Sequence, residues 1–106
     1  MDQEIKASWV ARLRSRQDAQ GSGFLLRTTS DGKEEKKCCL GVLAEVCGVP
    51  RSTLFEGYLF NGTRSNRIPP EGFAGLTIAQ LDKLAQLNDV DKKPFPQIAD
   101  WIEENL

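Results

Sequence analysis

The chain has 106 residues, 40% of them hydrophobic and 27% charged, with a formal net charge of −1 and no histidine. That length suits one domain over residues 1–106, burying roughly 60 to 70% of its unfolded surface, and the apolar-to-charged balance excludes global disorder and fibrous repeats. No apolar run approaches the roughly 20 residues of a membrane span, and the polar N-terminus lacks a signal-peptide apolar core, so the expected setting is a cytosol.

Ile5, Trp9 and Leu13 recur every fourth residue with Val10 beside them, and Lys6, Arg12, Arg14 and Arg16 fill the opposite positions. This predicts an amphipathic helix over Glu4 to Arg16. Gln17 to Gly23 breaks it. Residues 24–29 are β-type and Lys33 to Lys37 are charged, so the Asp31-Gly32 pair between them predicts a hairpin with a half-solvated second strand.

Leu40, Leu43, Ala44, Val46 and Cys47 surround much of a short helix beginning at Cys39, which should be buried on more than one side and end at Gly48 before Pro50. Leu54 to Phe60, Asn61-Gly62 and Thr63 to Ile68 predict a second hairpin. Thr77 with Gln80 is a capping-box pattern that opens a helix over Ile78 to about Asn88, with Leu76 placed to staple onto Leu81. Pro96 suits a first helical position, and Ile98, Ile102 and Leu106 with Trp101 give the last helix an apolar stripe. The elements make an α+β domain with two β-hairpins, a buried central helix and a C-terminal αα-hairpin packed on the sheet.

Charge divides unevenly along the chain. Residues 1–70 carry 11 Lys and Arg against 8 Asp and Glu, whereas residues 71–106 carry 3 against 7. A +3 body and a −4 tail invite packing of the C-terminal helix, whose carboxylates oppose its dipole, on the arginine-rich first helix.

Three cysteines, two of them adjacent, make a poor disulfide framework and do not match zinc-ligand spacing. A thiol at a helix N-terminus could be acidified by the dipole, but thiol hydrolases need a base that a chain without histidine does not offer. The cysteines therefore read as small core residues, no cofactor is expected, and the protein reads as a non-enzyme.

The candidate ligand-binding residues lie in and beside the second hairpin. Arg51, Arg64 and Arg67 stand among hydroxyls, amides and a glycine, a setting suited to phosphate or carboxylate, with Tyr58 and Phe60 as stacking faces. A helix-turn-helix reading of the last two helices fails because residues 98–106 carry acidic groups and no Lys or Arg.

The Cys38-Cys39-Leu40-Gly41-Val42-Leu43 box, with Leu87-Asn88-Asp89 and Phe95-Pro96-Gln97-Ile98-Ala99-Asp100-Trp101-Ile102-Glu103, resembles a family of small bacteriophage and prophage proteins without an assigned activity. The likeness covers roughly half the chain; residues 90–94 depart from it, standing in place of a shorter glycine-containing turn. It implies a phage accessory protein in the cytoplasm of an infected bacterium. The leading expectation is a non-enzymatic binder that disables a host factor, either a nucleotide immune signal held by the arginines or a host protein. The alternative is a DNA-associated regulator using Lys6, Arg12, Arg14 and Arg16, and homo-oligomerisation is left open.

Overall fold

In the computed structural model, which describes residues 1–60 and 62–106, helix α1 spans Gln3–Ser15. The Asp2 carboxylate caps it by accepting hydrogen bonds from the amides of Glu4 (2.8 Å) and Ile5 (3.0 Å). Arg16, expected inside the helix, instead closes it with a left-handed φ of 60°. Trp9, Val10 and Leu13 form the buried stripe that the spacing predicts.

Strands β1 (Ala19–Gln20), β2 (Arg27–Thr28) and β3 (Glu35–Lys37) form a sheet in the order β1-β3-β2. β2 and β3 make the expected antiparallel hairpin, with Arg27 opposite Lys36. The segment read as a plain break contributes β1, parallel to β3. The first strand of the hairpin is shorter than expected because Leu25 and Leu26 leave the ladder to enter the core, at 0% and 1% exposure.

Helix α2 spans Cys39–Val46, with every residue from Cys39 to Ala44 buried. Gly41 lets it lie against the Leu25 backbone, since a β-carbon at that position would overlap the Leu25 carbonyl oxygen. The stretch from Leu54, expected as strand, begins instead as helix α3 (Arg51–Glu56), entered from Pro50 and ended by Gly57. A short apolar run fits either period, and full burial of Leu54 on one side of a single turn decides it.

The second hairpin is β4 (Tyr58–Phe60) antiparallel to β5 (Thr63–Ser65), with Tyr58 opposite Ser65 and Leu59 opposite Arg64. Asn61, expected in its turn, lies outside the described residues, as does the side chain of Phe60.

A short 3-10 turn, Phe73–Gly75, leads into α4 (Ile78–Asp89). The capping box forms: Thr77 Oγ1 accepts from the Gln80 amide (3.2 Å) and Gln80 Oε1 from the Thr77 amide (2.9 Å). Leu76, Leu81, Leu84 and Leu87 are buried, but Ile78 at the first turn is 45% exposed.

Helix α5 spans Phe95–Asn105 with Pro96 as its second residue, one position later than expected. Ile98 and Ile102 are fully buried, while Trp101 is half-buried. α5 packs chiefly on α1, and α4 on α2. The expected packing on the sheet is thereby corrected, because strands of two or three residues with mostly exposed side chains offer no apolar face.

The charge asymmetry has its physical counterpart here. Arg14 spans Asp100 and Glu103 of α5, at 2.7 Å each, and Lys6 Nζ donates to the Glu103 carbonyl (3.4 Å). Among the described residues no helix is long and apolar enough to cross a membrane.

Candidate functional site

The thiols of the Cys box are enclosed. Cys38 is 3% exposed and Cys39 fully buried. The Trp9 indole N–H donates to the Cys39 carbonyl (2.9 Å), and Cys39 Sγ donates to the Leu84 carbonyl (3.6 Å). Burial pushes the Cys38 thiol up to about 11 and the Cys39 thiol well above its ordinary range, overriding the amides at the start of α2. Both pack inside the core. Cys47, grouped with them as a core residue, faces solvent instead, because it caps α2 beyond its last buried turn. Among the described residues no group of three or more Cys, Asp or Glu could hold a metal ion.

Asn88, from the Leu-Asn-Asp motif, ties the box to the rest of the core. It is 1% exposed, yet Oδ1 accepts from the Cys39 amide (3.1 Å) and Gln20 Nε2 (3.1 Å), while Nδ2 donates to the Gly21 carbonyl and Asp89 Oδ1 (2.8 Å each). A buried amide with every lone pair and proton engaged fixes β1, α2 and α4 in one register.

Beside it lies an ionic cluster. Asp18, with its side chain 6% exposed, receives Arg12 (2.8 Å) and Lys37 (2.9 Å), and the same two cations reach Glu45. Burial alone would raise the Asp18 and Glu45 carboxyls, but hydrogen bonds from Arg12 and Lys37 outweigh it and hold both below their ordinary values. Burial would likewise lower the Lys37 ammonium, and its bonds to Glu45 and Asp18 raise it instead. Arg12 and Arg14 are thus committed to carboxylates within the fold. Of the other two cations proposed for DNA, Lys6 donates to the Glu103 carbonyl rather than to a carboxylate, and Arg16 makes no ion pair among the described residues.

The proposed arginines point to different neighbours. Arg51 makes a two-point ion pair with Glu35 (2.5 and 2.6 Å) and stacks over Phe55, 5.5 Å from its ring centre. Arg67 Nε donates to the Gly23 carbonyl (3.0 Å), tying the segment after β5 to the first loop. Arg64 is exposed on the outer face of the hairpin, opposite Leu59, with a long bond to the Gly57 carbonyl (3.4 Å).

Tyr58 sits on the inner face, edge-on to Phe73 at 5.8 Å. Its hydroxyl is buried without a hydrogen-bond partner among the described residues, and burial pushes it up to about 12. Tyr58 lines a groove of about 350 Å³ together with the apolar Ile68, Pro69, Pro70 and Ile78 and the polar Thr63, Ser65 and Glu71. None of the three arginines lines it.

Sequence reasoning found Tyr58 but missed the groove, since its walls come from three separate segments. An Ile at the solvent-facing first turn of α4 after a Pro-Pro step was the available signal. Comparison with protein-family models, curated proteins and solved structures finds no match to this chain.

Proposed function

We infer that this is a phage-encoded, non-enzymatic binding protein that counteracts a host bacterial factor by docking on a host protein in the infected cytoplasm. The observation that carries the choice of a protein target is the groove beside Tyr58. Its walls are apolar and its one ionised lining group is Glu71, so an anionic ligand would meet repulsion there and no guanidinium. Arg51 and Arg67 are held by Glu35 and the Gly23 carbonyl, which weakens the nucleotide version. The DNA-regulator alternative loses support for a similar reason: Arg12 and Arg14 are neutralised within the fold, which halves the positive charge that the four proposed cations could bring to DNA. The enclosed, protonated Cys38 and Cys39 speak against thiol chemistry.

The test is affinity enrichment from the bacterial host with wild type and Ile78→Glu side by side, read by quantitative mass spectrometry, with thermal shift against cyclic di- and trinucleotides in parallel. The expected result is a host protein retained about tenfold better by wild type, a difference of about 1.4 kcal/mol, and no nucleotide-induced shift. Equal retention on both baits would sink the docking reading. A nucleotide shift lost in Arg64→Ala would replace it with nucleotide capture.

A further inference from the structure

A second surface, lined by none of the groove residues, sets cations around one loop. Residues 21–24 run Gly-Ser-Gly-Phe, and each of the four meets a cation. Lys36 lies against Gly21: a β-carbon there would stand 2.8 Å from the Lys36 β-carbon, so the lysine stem occupies space that the glycine leaves open. Lys92 Nζ donates to Ser22 Oγ (3.3 Å), and Arg67 Nε to the Gly23 carbonyl (3.0 Å). Arg27 stacks over Phe24, 5.4 Å from its ring centre. Consecutive α-carbons are about 3.8 Å apart, so the four anchor points span about 11 Å at most. None of these cations makes an ion pair among the described residues, and neutral oxygens and an aromatic face hold three of them without cancelling their charge. Arg27 and Lys36 are directly opposite each other in the β2–β3 ladder, where like charges cost stability unless an anion lies between them. The carboxylate that touches the loop, Asp89, is engaged: its Oδ1 accepts from the Gly23 amide (2.9 Å) and Asn88 Nδ2 (2.8 Å). Arg27, Arg67 and Lys92 are exposed, Lys36 is half-buried, and Phe24 is half-buried outside the core cluster.

We propose that this surface binds single-stranded nucleic acid, with Arg27, Lys36, Arg67 and Lys92 on its phosphates and the Phe24–Arg27 pair as a platform on which a base stacks. Anchors on successive residues spread the charges along the loop rather than gathering them at one point, which suits a run of phosphates better than a single one. An aromatic ring beside a basic track is the combination that holds single strands without regard to sequence, because every base has a face to stack. A duplex fits less well, since its bases are already stacked on one another and leave none for Phe24. An acidic peptide would answer the charges but not the ring. None of these residues lines the Tyr58 groove, so the site stands or falls separately from the docking reading.

The experiment is fluorescence anisotropy of labelled oligothymidylate, oligouridylate and a DNA duplex, titrated with the whole chain over a range of salt, with poly-glutamate as a competitor. Circular dichroism checks that each variant is folded. A single strand should bind, with the logarithm of its association constant falling by roughly 3 for a tenfold rise in salt, about 0.7 for each of four phosphate contacts. The thymidylate and uridylate arms tell DNA from RNA by the 2′-hydroxyl. Arg67→Ala and Lys92→Ala should each reduce the salt slope by about 0.7. Phe24→Ala should weaken binding about tenfold with the slope unchanged, because it removes a stacking face and no charge. Lys83→Glu, the same charge change as Arg27→Glu but at an exposed position on α4, should weaken binding less than Arg27→Glu does. Four results would each overturn the proposal: no binding of either single strand at low salt, tighter binding of the duplex, Phe24→Ala indistinguishable from wild type, or Lys83→Glu as damaging as Arg27→Glu. Displacement by poly-glutamate as effective as by unlabelled strand would overturn it too, and assign the surface to acidic protein segments.

Discussion

The helical body and the β4–β5 hairpin solve opposite problems with the same chain. In the body, Trp9, Leu13, Leu43, Leu84, Ile98 and Ile102 are all fully buried, and the polar groups drawn inside, Asn88 and Asp18, have their hydrogen-bonding atoms engaged. In the hairpin, Leu59 is exposed, the buried Tyr58 hydroxyl has no partner among the described residues, and an apolar slot stands open beside it. The difference locates stability in one region and, on the reading proposed above, binding in the other. Substitutions should sort the same way.

The largest expected loss is in the body. Trp9→Ala removes a fully buried indole and its bond to the Cys39 carbonyl, and should cost about 3 to 5 kcal/mol in chemical denaturation. If Trp9→Ala melted like wild type, the body would not be the seat of stability.

Next is the ionic cluster. Asp18→Asn leaves the buried Lys37 and half-buried Arg12 with one carboxylate between them, and should cost about 3 kcal/mol, at the low end for breaking a buried pair. The same cluster sets a pH dependence. Asp18 and Glu45 have folded-state values below their unfolded ones, so their contribution is complete above the unfolded carboxylate range and lost as pH falls from that range through the lower folded values. Lys37 is raised, so its contribution is complete below its unfolded value of about 10.4 and lost as pH rises beyond it. Denaturation midpoints should therefore be flat near neutrality and fall at both extremes, with the acid fall reduced in Asp18→Asn.

The thiols divide the molecule more finely. Of the three cysteines, only Cys47 faces solvent, so brief alkylation of the native chain should add one adduct, and alkylation after denaturation three. Rapid labelling at Cys38 or Cys39 would mean that the box opens readily. The smallest effect on folding belongs to the hairpin: Leu59→Asp should change stability by no more than about 0.5 kcal/mol, as for an exposed position without special contacts.

Much of the body was legible in the sequence. The four-residue spacing of Trp9 and Leu13, the Thr77–Gln80 box and the Ile98–Ile102 stripe each report one helix through local periodicity or capping, and the acidic tail announced its arginine partner on α1. What escaped was either too short or too distributed. Two-residue β1 has no period to detect, Leu54 to Phe60 fits a helical turn and a strand equally, and the Asp18 cluster joins residues 12, 18, 37 and 45 only once three elements have packed. The candidate site was legible as composition, Tyr58 among arginines, but not as geometry. Glu35 and the Gly23 carbonyl, which engage Arg51 and Arg67, lie 16 and 44 residues away.

The division between a stable body and a less stable hairpin is tested most directly by native-state amide hydrogen exchange, resolved by residue. Amides of α1, α2, α4 and α5 should exchange near the rate of global unfolding, while those of Tyr58, Arg64 and Ser65 exchange faster through local opening. Hairpin amides as protected as those of the helices would contradict the account.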